Sequence, residues 1–141
     1  MVDRARVDQL LALLSRYVRI LRELADSDPL EFANDPRSYG SAERFLQLAI
    51  ECTLSVGHHL IAAEGLQQPT TYAEVFEIMA RAGVLQQDFA QRLRPMARMR
   101  NRLVHVYDDV SPAMVHRILC EDLGDFDEFA RQVTVHLDRM E

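Results

Sequence analysis

The sequence contains no lysine, so all 16 of its basic residues are arginine. A GC-rich genome accounts for that bias better than any function does. Cysteine is nearly as scarce: Cys52 and Cys120 are the only two, neither in a CxxC spacing, which leaves no basis for a disulfide scaffold or a zinc knuckle and fits a reducing cytoplasm. Long apolar runs are missing too. The longest, Leu10 to Leu14, falls far short of a membrane span, and the charged opening Met1-Val2-Asp3-Arg4-Ala5-Arg6 lacks the apolar core of a signal peptide. A soluble cytoplasmic protein with no membrane association is therefore expected. There is no Gly-rich phosphate loop, no serine nucleophile elbow and no pair of catalytic carboxylates, so several common enzyme classes drop out. No stretch reads as a strand over any length, and no internal repeat or low-complexity segment is visible.

What is present is one domain's worth of helix-forming chain. At 141 residues the sequence is long enough to bury a core without disulfides or metals, and 1–141 reads as a single domain. The formal net charge of -6 argues against indiscriminate attraction to nucleic acid. The charge is uneven, however. Residues 91–105 carry Arg92, Arg94, Arg98, Arg100 and Arg102 and no acid, which leaves 11 basic against 22 acidic residues elsewhere. A polyanion would be welcomed at that one place, unless the strip is a solvated face pairing with acids across an interface.

Apolar periodicity places a long helix at 3–26, with Val7, Leu10, Leu14, Tyr17, Leu21 and Leu24 forming one seam. Asp26-Ser27-Asp28-Pro29 stops it, and Pro36 to Gly40 reads as a loop in which Ser38 or Ser41 caps the next helix. That helix, about 41–64, carries Glu43, Gln47, Glu51, Ser55 and His58 in one polar stripe and is apolar over most of the remaining surface, so it is either central to a bundle or shared between the bundle and a second subunit. Gly65 ends it. A short helix follows from about 72 to 82, capped by Thr70 or Thr71 and ended by Gly83. Residues 86 to about 106 form a further helix that Pro95 kinks or divides, and two helices at about 112–121 and 123–139 complete the chain. The expected architecture is an all-α antiparallel bundle of about five to six helices with short loops.

The most informative stretch is Arg100-Asn101-Arg102-Leu103-Val104-His105-Val106-Tyr107. Arginine stays charged at physiological pH and grips phosphate oxygens in a forked geometry, while histidine, with an ordinary pKa of about 6.5, can take and return a proton. Five residues apart on an unbroken helix, Arg100 and His105 would point about 140 degrees apart with about 7.5 Å of rise. Arg100 nearly shares a face with Tyr107, and Arg98, Arg102 and His105 align on the other side. Either the helix turns after Asn101, or the long side chains converge over a groove, or a second subunit supplies the complementary pair. Periodicity does not choose among these, and it leaves Arg102 as a rival for the phosphate-gripping role.

The spacing Arg, four residues, His, one residue, Tyr, with Asn directly after the Arg, resembles the signature of HEPN domains of the HepT toxin group. Ser41-Ala42-Glu43-Arg44 with Leu46-Gln47-Leu48-Ala49-Ile50-Glu51 is similar to that group's second helix, and Leu93-Arg94-Pro95-Met96 to its lead-in to the motif. Met99 departs from the aromatic residue expected before Arg100. The resemblance implies a symmetric homodimer whose motif residues meet in an interfacial cleft, acting as a metal-independent endoribonuclease, the toxin of a toxin–antitoxin pair. Arg100 and His105 would then be catalytic. Asn101, Arg102, Arg98 and Glu51 would support the motif or the substrate, with Ser55 and His58 weaker candidates. Tyr107 would be where a partner nucleotidyltransferase antitoxin attaches AMP, an added anion that blocks the cleft.

If the substrate is RNA, the ribose 2′-hydroxyl attacks the adjacent phosphorus, His105 serves the proton transfers and Arg100 the transition-state charge, leaving a cyclic 2′,3′-phosphate with no cofactor and no metal. The competing expectation is a non-enzymatic HEPN module that binds a nucleotide or a partner alongside a nucleotidyltransferase. The remaining histidines and cysteines are read as structural. Adjacent His58 and His59 diverge on a helix, His116 and Cys120 make only two ligands, and Cys52 lies in an apolar face.

Overall fold

The computed structural model describes residues 1–105 and 110–141, and among these it contains eight helical segments and no strand. The architecture is the expected antiparallel helical bundle, with more segments than the five to six anticipated. Two boundaries account for the difference: a one-turn helix after the first long one, and a complete break in the motif region.

Helix α1 (Arg4–Ala25) starts at Asp3, whose carboxylate accepts from the Arg6 backbone N–H at 3.1 Å, offsetting one of the unpaired donors of the first turn. Its buried face is Val7, Leu10, Leu14, Val18 and Leu21. Tyr17 and Leu24, expected in the seam, are only partly buried. Val18 takes the enclosed position, and Tyr17 flanks it against Phe45 with ring centroids 5.9 Å apart.

The next two helices use the same starting device. Asp28 caps α2 (Pro29–Asn34) and Asp35 caps α3 (Pro36–Ala63), each followed by a first-turn proline whose missing N–H would have been unpaired there in any case. Asp35 sits in the extended region that a following proline favours, and its carboxylate accepts from the Arg37 N–H at 3.0 Å. The expected loop over Pro36 to Gly40 is therefore helix. Ser38 lies within the first turn, its hydroxyl donating to Asp35 at 3.1 Å, instead of capping it.

Helix α3 runs 28 residues and packs against α1, α2, α4 (Tyr72–Arg81), α6 (Arg94–Val104), α7 (Pro112–Glu121) and α8 (Gly124–Arg139). It is the central helix. Among the described residues it is also the one helix long and apolar enough to cross a membrane; more than half of its most apolar stretch is buried inside the bundle, which accounts for that composition. Gly65 and Gly83, at φ of 68 and 81 degrees, supply the left-handed turns that end α3 and α4. Gly57 lets α4 approach α3 closely, since a Cβ there would lie 2.3 Å from Val75 Cγ1.

The α4 side of the core is closed by an edge-on contact between Phe76 and Phe129, centroids 6.2 Å apart. On the opposite side His116 is buried. Its Nε2 lies 3.0 Å from the Ser27 carbonyl and its ring meets Phe32 edge-on at 5.0 Å, a structural histidine as expected. Cys52 is buried, and burial first, with the Glu51 charge second, pushes its thiol up to about 11.

Candidate active site

Leu93 ends α5 (Gln87–Arg92) and Pro95 stands in the first turn of α6, so the proline starts a new helix instead of bending an old one. This new axis carries the arginines. The strip is less uniform than its composition suggests: Arg92 pairs with Asp125, Arg94 lies 3.3 Å from Glu77, and Arg98 is exposed to solvent. Arg92 and Arg94 thus pair with acids of their own chain.

Arg100 is the most constrained member. Its Nη2 lies 3.4 Å from Glu51 Oε1 on α3, its guanidinium carbon sits 4.6 Å above the centre of the Tyr72 ring at the start of α4, and its side chain is only 22% exposed. A cation over an aromatic face is attracted by the ring's quadrupole without being neutralised. Glu51 is in turn approached by Gln47 Nε2 at 3.3 Å, and Tyr72 meets the His58 ring edge-on at 6.4 Å. The polar stripe read on the second long helix therefore faces the motif helix, and Gln47, Glu51 and His58 all belong to one neighbourhood with Arg100. Ser55 is exposed. Tyr72 was not anticipated. It lies on a third element, so no spacing within the motif could signal it.

Tyr72 is fixed by the way α4 begins. Thr71 caps the helix by accepting from the Glu74 N–H at 3.3 Å, while the Glu74 carboxylate reaches back to the Thr70 N–H at 2.8 Å and its hydroxyl at 2.9 Å. Those Thr70 donors, the backbone N–H foremost, hold Glu74 below the usual carboxylate range.

Helix α6 ends at Val104. His105 is its C-cap in an extended conformation, at φ -78 and ψ 142 degrees, with its N–H donating to the Asn101 carbonyl at 3.2 Å and its side chain exposed. Because its N–H still closes an i to i−4 bond and its φ is near-helical, His105 keeps the helical direction of its Cα–Cβ bond and the separation of about 140 degrees from Arg100 stands; its ψ ends the helix there. The helix ends after Val104, three residues later than the end after Asn101 that the first of the three possibilities supposed. Among the described residues no hydrogen bond joins Arg100 to His105. Asn101 is exposed beside Arg100, its Oδ1 3.4 Å from Arg100 Nη1. Tyr107 lies outside the described residues.

Arg102 points to different surroundings. With Met96, Met99, Met114, Ile118 and Phe126 it lines a cleft of about 400 Å³ between α6, α7 and α8, with Arg92 and Arg117 as the other cations there and Asp122 and Asp125 as the acids. Burial, then the charges of Asp125 and Glu121, push Asp122 above the usual carboxylate range. Met99, the departure from the expected aromatic, is thus part of an apolar wall facing away from Arg100. Among the described residues no cluster of three or more His, Cys, Asp or Glu side chains could hold a metal ion.

Residues 14–133 match the family model described as Ribonuclease HepT-like. The chain is 24% identical over 135 residues to the tRNA nuclease HepT of Aphanizomenon flos-aquae, spanning 96% of this chain and 92% of that one. It is 23% identical over 119 residues to the mRNA nuclease HepT of Shewanella oneidensis, spanning 84% and 89% respectively. Among solved structures, the tri-AMPylated Shewanella oneidensis HEPN toxin in complex with an MNT antitoxin superposes with a TM-score of 0.83 at 21% identity, over 92% of this chain and 96% of that one.

Proposed function

Since the chain belongs to the HepT-like ribonuclease family, we propose that residues 1–141 form a single HEPN-type unit that cleaves RNA as a metal-independent endoribonuclease, the toxin of a pair whose antitoxin is a nucleotidyltransferase. The observation that carries the reading is Arg100, a cation gripped at the bundle surface by Glu51 and Tyr72, five residues ahead of an exposed imidazole at the helix end. The ribose 2′-hydroxyl attacks the neighbouring phosphorus. His105 accepts the hydroxyl proton or delivers one to the departing 5′-oxygen, and Arg100 offsets the charge that accumulates on the pentacoordinate phosphorane. Neither role calls for a metal ion.

Because five residues of helix set the two side chains about 140 degrees apart, the reaction is assigned to a homodimer in which the motif ends of two copies share a cleft. Arg98 and Asn101, both exposed, are assigned to the approaching backbone phosphates, and Arg102 to the substrate where it leaves toward the neighbouring cleft. Glu51 orients Arg100. The protein is expected to act in the cytoplasm. A similar toxin is tri-AMPylated in complex with its MNT antitoxin, and Tyr107 is the residue this chain offers for the same modification. Adenylylation would set an anion beside the arginines and compete with the phosphate they await.

The test is digestion of total RNA in excess EDTA by the wild type, Arg100→Ala and His105→Ala. Either substitution is expected to remove about 10² or more of the rate, since general acid–base help and charge stabilisation are each of that order. Nucleotide binding with no cleavage by the wild type would replace the enzyme with a binding module.

A further inference from the structure

We infer that Tyr72 is a positioning residue for Arg100, its ring serving as the platform over which the guanidinium is held for the scissile phosphate. This rests on the ribonuclease reading above and extends it to a residue on a different helix from the motif.

Three observations converge on the ring. The guanidinium carbon lies 4.6 Å above it, the side chain is largely enclosed, and Arg100 Nε is buried with no hydrogen-bond acceptor. A sealed N–H donor with no acceptor is costly unless something of negative potential faces it, and the aromatic face supplies that. Glu51 also holds the guanidinium, from the side, at 3.4 Å. The two contacts differ in what they leave available. A carboxylate holds the cation and cancels its charge, whereas a π face holds it and leaves the charge for a phosphate. With the ring removed, the pair with Glu51 at 3.4 Å would be left to position the guanidinium from one side, drawing it toward the carboxylate and away from the phosphate.

The platform is itself braced. Thr71 and Glu74 lock the first turn of α4, His58 abuts the ring edge-on, and the close approach at Gly57 fixes α4 against the helix that carries Glu51. Helices α3, α4 and α6 each contribute one side of the frame. The hydroxyl of Tyr72 plays no part in it, so phenylalanine should serve and leucine, similar in bulk but without a π face, should not.

The experiment compares Tyr72→Phe and Tyr72→Leu with the wild type in RNA cleavage, alongside the NMR signal of the Arg100 Nε–H, assigned by its loss in Arg100→Lys. Tyr72→Phe is expected to retain kcat within about twofold, while Tyr72→Leu lowers kcat about tenfold with a smaller change in KM. The Nε–H signal should be shifted upfield by the ring and protected from solvent exchange in the wild type and Tyr72→Phe, and lose both properties in Tyr72→Leu. The inference is overturned if Tyr72→Leu cleaves at the wild-type rate, if Tyr72→Phe is as slow as Tyr72→Leu, or if the wild-type signal is unshifted and exchanges freely. That last measurement needs no Tyr72 variant to fold. A shifted, protected signal in a wild type that cuts no RNA would leave the frame standing and remove the ribonuclease reading instead.

Discussion

Gly57 sets the distance between the two helices that frame Arg100, and replacing it with alanine tests that geometry. An ideal Cβ at this position lies 2.3 Å from Val75 Cγ1 and 3.0 Å from Met79 Sδ. Carbon atoms in contact prefer about 3.5–4.0 Å, so more than about 1 Å of room is missing. Val75 is fully buried and has nowhere to retreat, while Met79 can bend its thioether aside. Against this, Gly→Ala in a helix interior is worth about 1 kcal/mol in favour of alanine. Overpacking of this kind costs about 1–3 kcal/mol, and a clash with a fully enclosed γ-methyl belongs in the upper half of that range, for a net loss of about 1–2 kcal/mol. At this chain length the melting temperature should fall by roughly 2–8 °C. The sharper assay is a double-mutant cycle by urea denaturation. In a Val75→Ala background the clashing methyl is gone, so Gly57→Ala should become stabilising by about 1 kcal/mol, a coupling of about 2–3 kcal/mol between the two positions. Since Val75 lies one turn beyond Tyr72, the single variant should also cleave RNA more slowly than its stability loss explains. Additive effects, or stabilisation by Gly57→Ala in both backgrounds, would refute the close-approach argument.

Two further outcomes follow from the titratable groups. Asp122 has its folded pKa raised, by burial first and then by Asp125 and Glu121, so its ionised form opposes folding. The folded state binds the extra proton, so that opposition is fully present above the raised value and disappears as pH falls through it toward the unfolded value. Asp122→Asn should therefore raise the melting temperature at pH 7 and lose that advantage in acid. An advantage that persists unchanged at pH 3 would contradict the cause given. For the cysteines, iodoacetamide at pH 8 should modify exposed Cys120 and spare Cys52, whose thiol is pushed up to about 11, with both reacting once the chain is unfolded. Peptide mapping that finds Cys52 alkylated in the native protein would contradict its burial.

The helices were legible wherever a boundary is made by a single residue's backbone requirement. Gly65, Gly83 and Pro95 each mark a real break, and of the apolar face that periodicity gives the last helix, Leu123, Phe126, Phe129, Ala130, Val133 and Leu137, all but the partly buried Ala130 are buried. The start of α3 differs from the sequence expectation because Pro36 reads as loop punctuation, whereas Asp-Pro is equally an N-cap followed by a first-turn proline. The same pair at Asp28-Pro29 hid the one-turn α2, too short for any periodicity to show. At the site, the polar stripe on α3 was readable because it breaks an otherwise apolar surface, and Glu51 emerged from it. Tyr72 was not readable, since its place beside Arg100 depends on how α4 packs across α3. The divergence calculated for Arg100 and His105 assumes helix between them, and α6 runs to Val104 with the His105 N–H still bonded to the Asn101 carbonyl, so the divergence stands.

The central claim is that the guanidinium of one protomer and the imidazole of another work on the same phosphate. Co-expressing Arg100→Ala and His105→Ala chains under different tags, and isolating the mixed dimer, tests it directly. Pairing across the two-fold axis leaves one of the two sites with both groups, so the mixed dimer should cut RNA in excess EDTA at about half the wild-type rate although each parent is inactive. A mixed dimer as inactive as its parents would contradict the account.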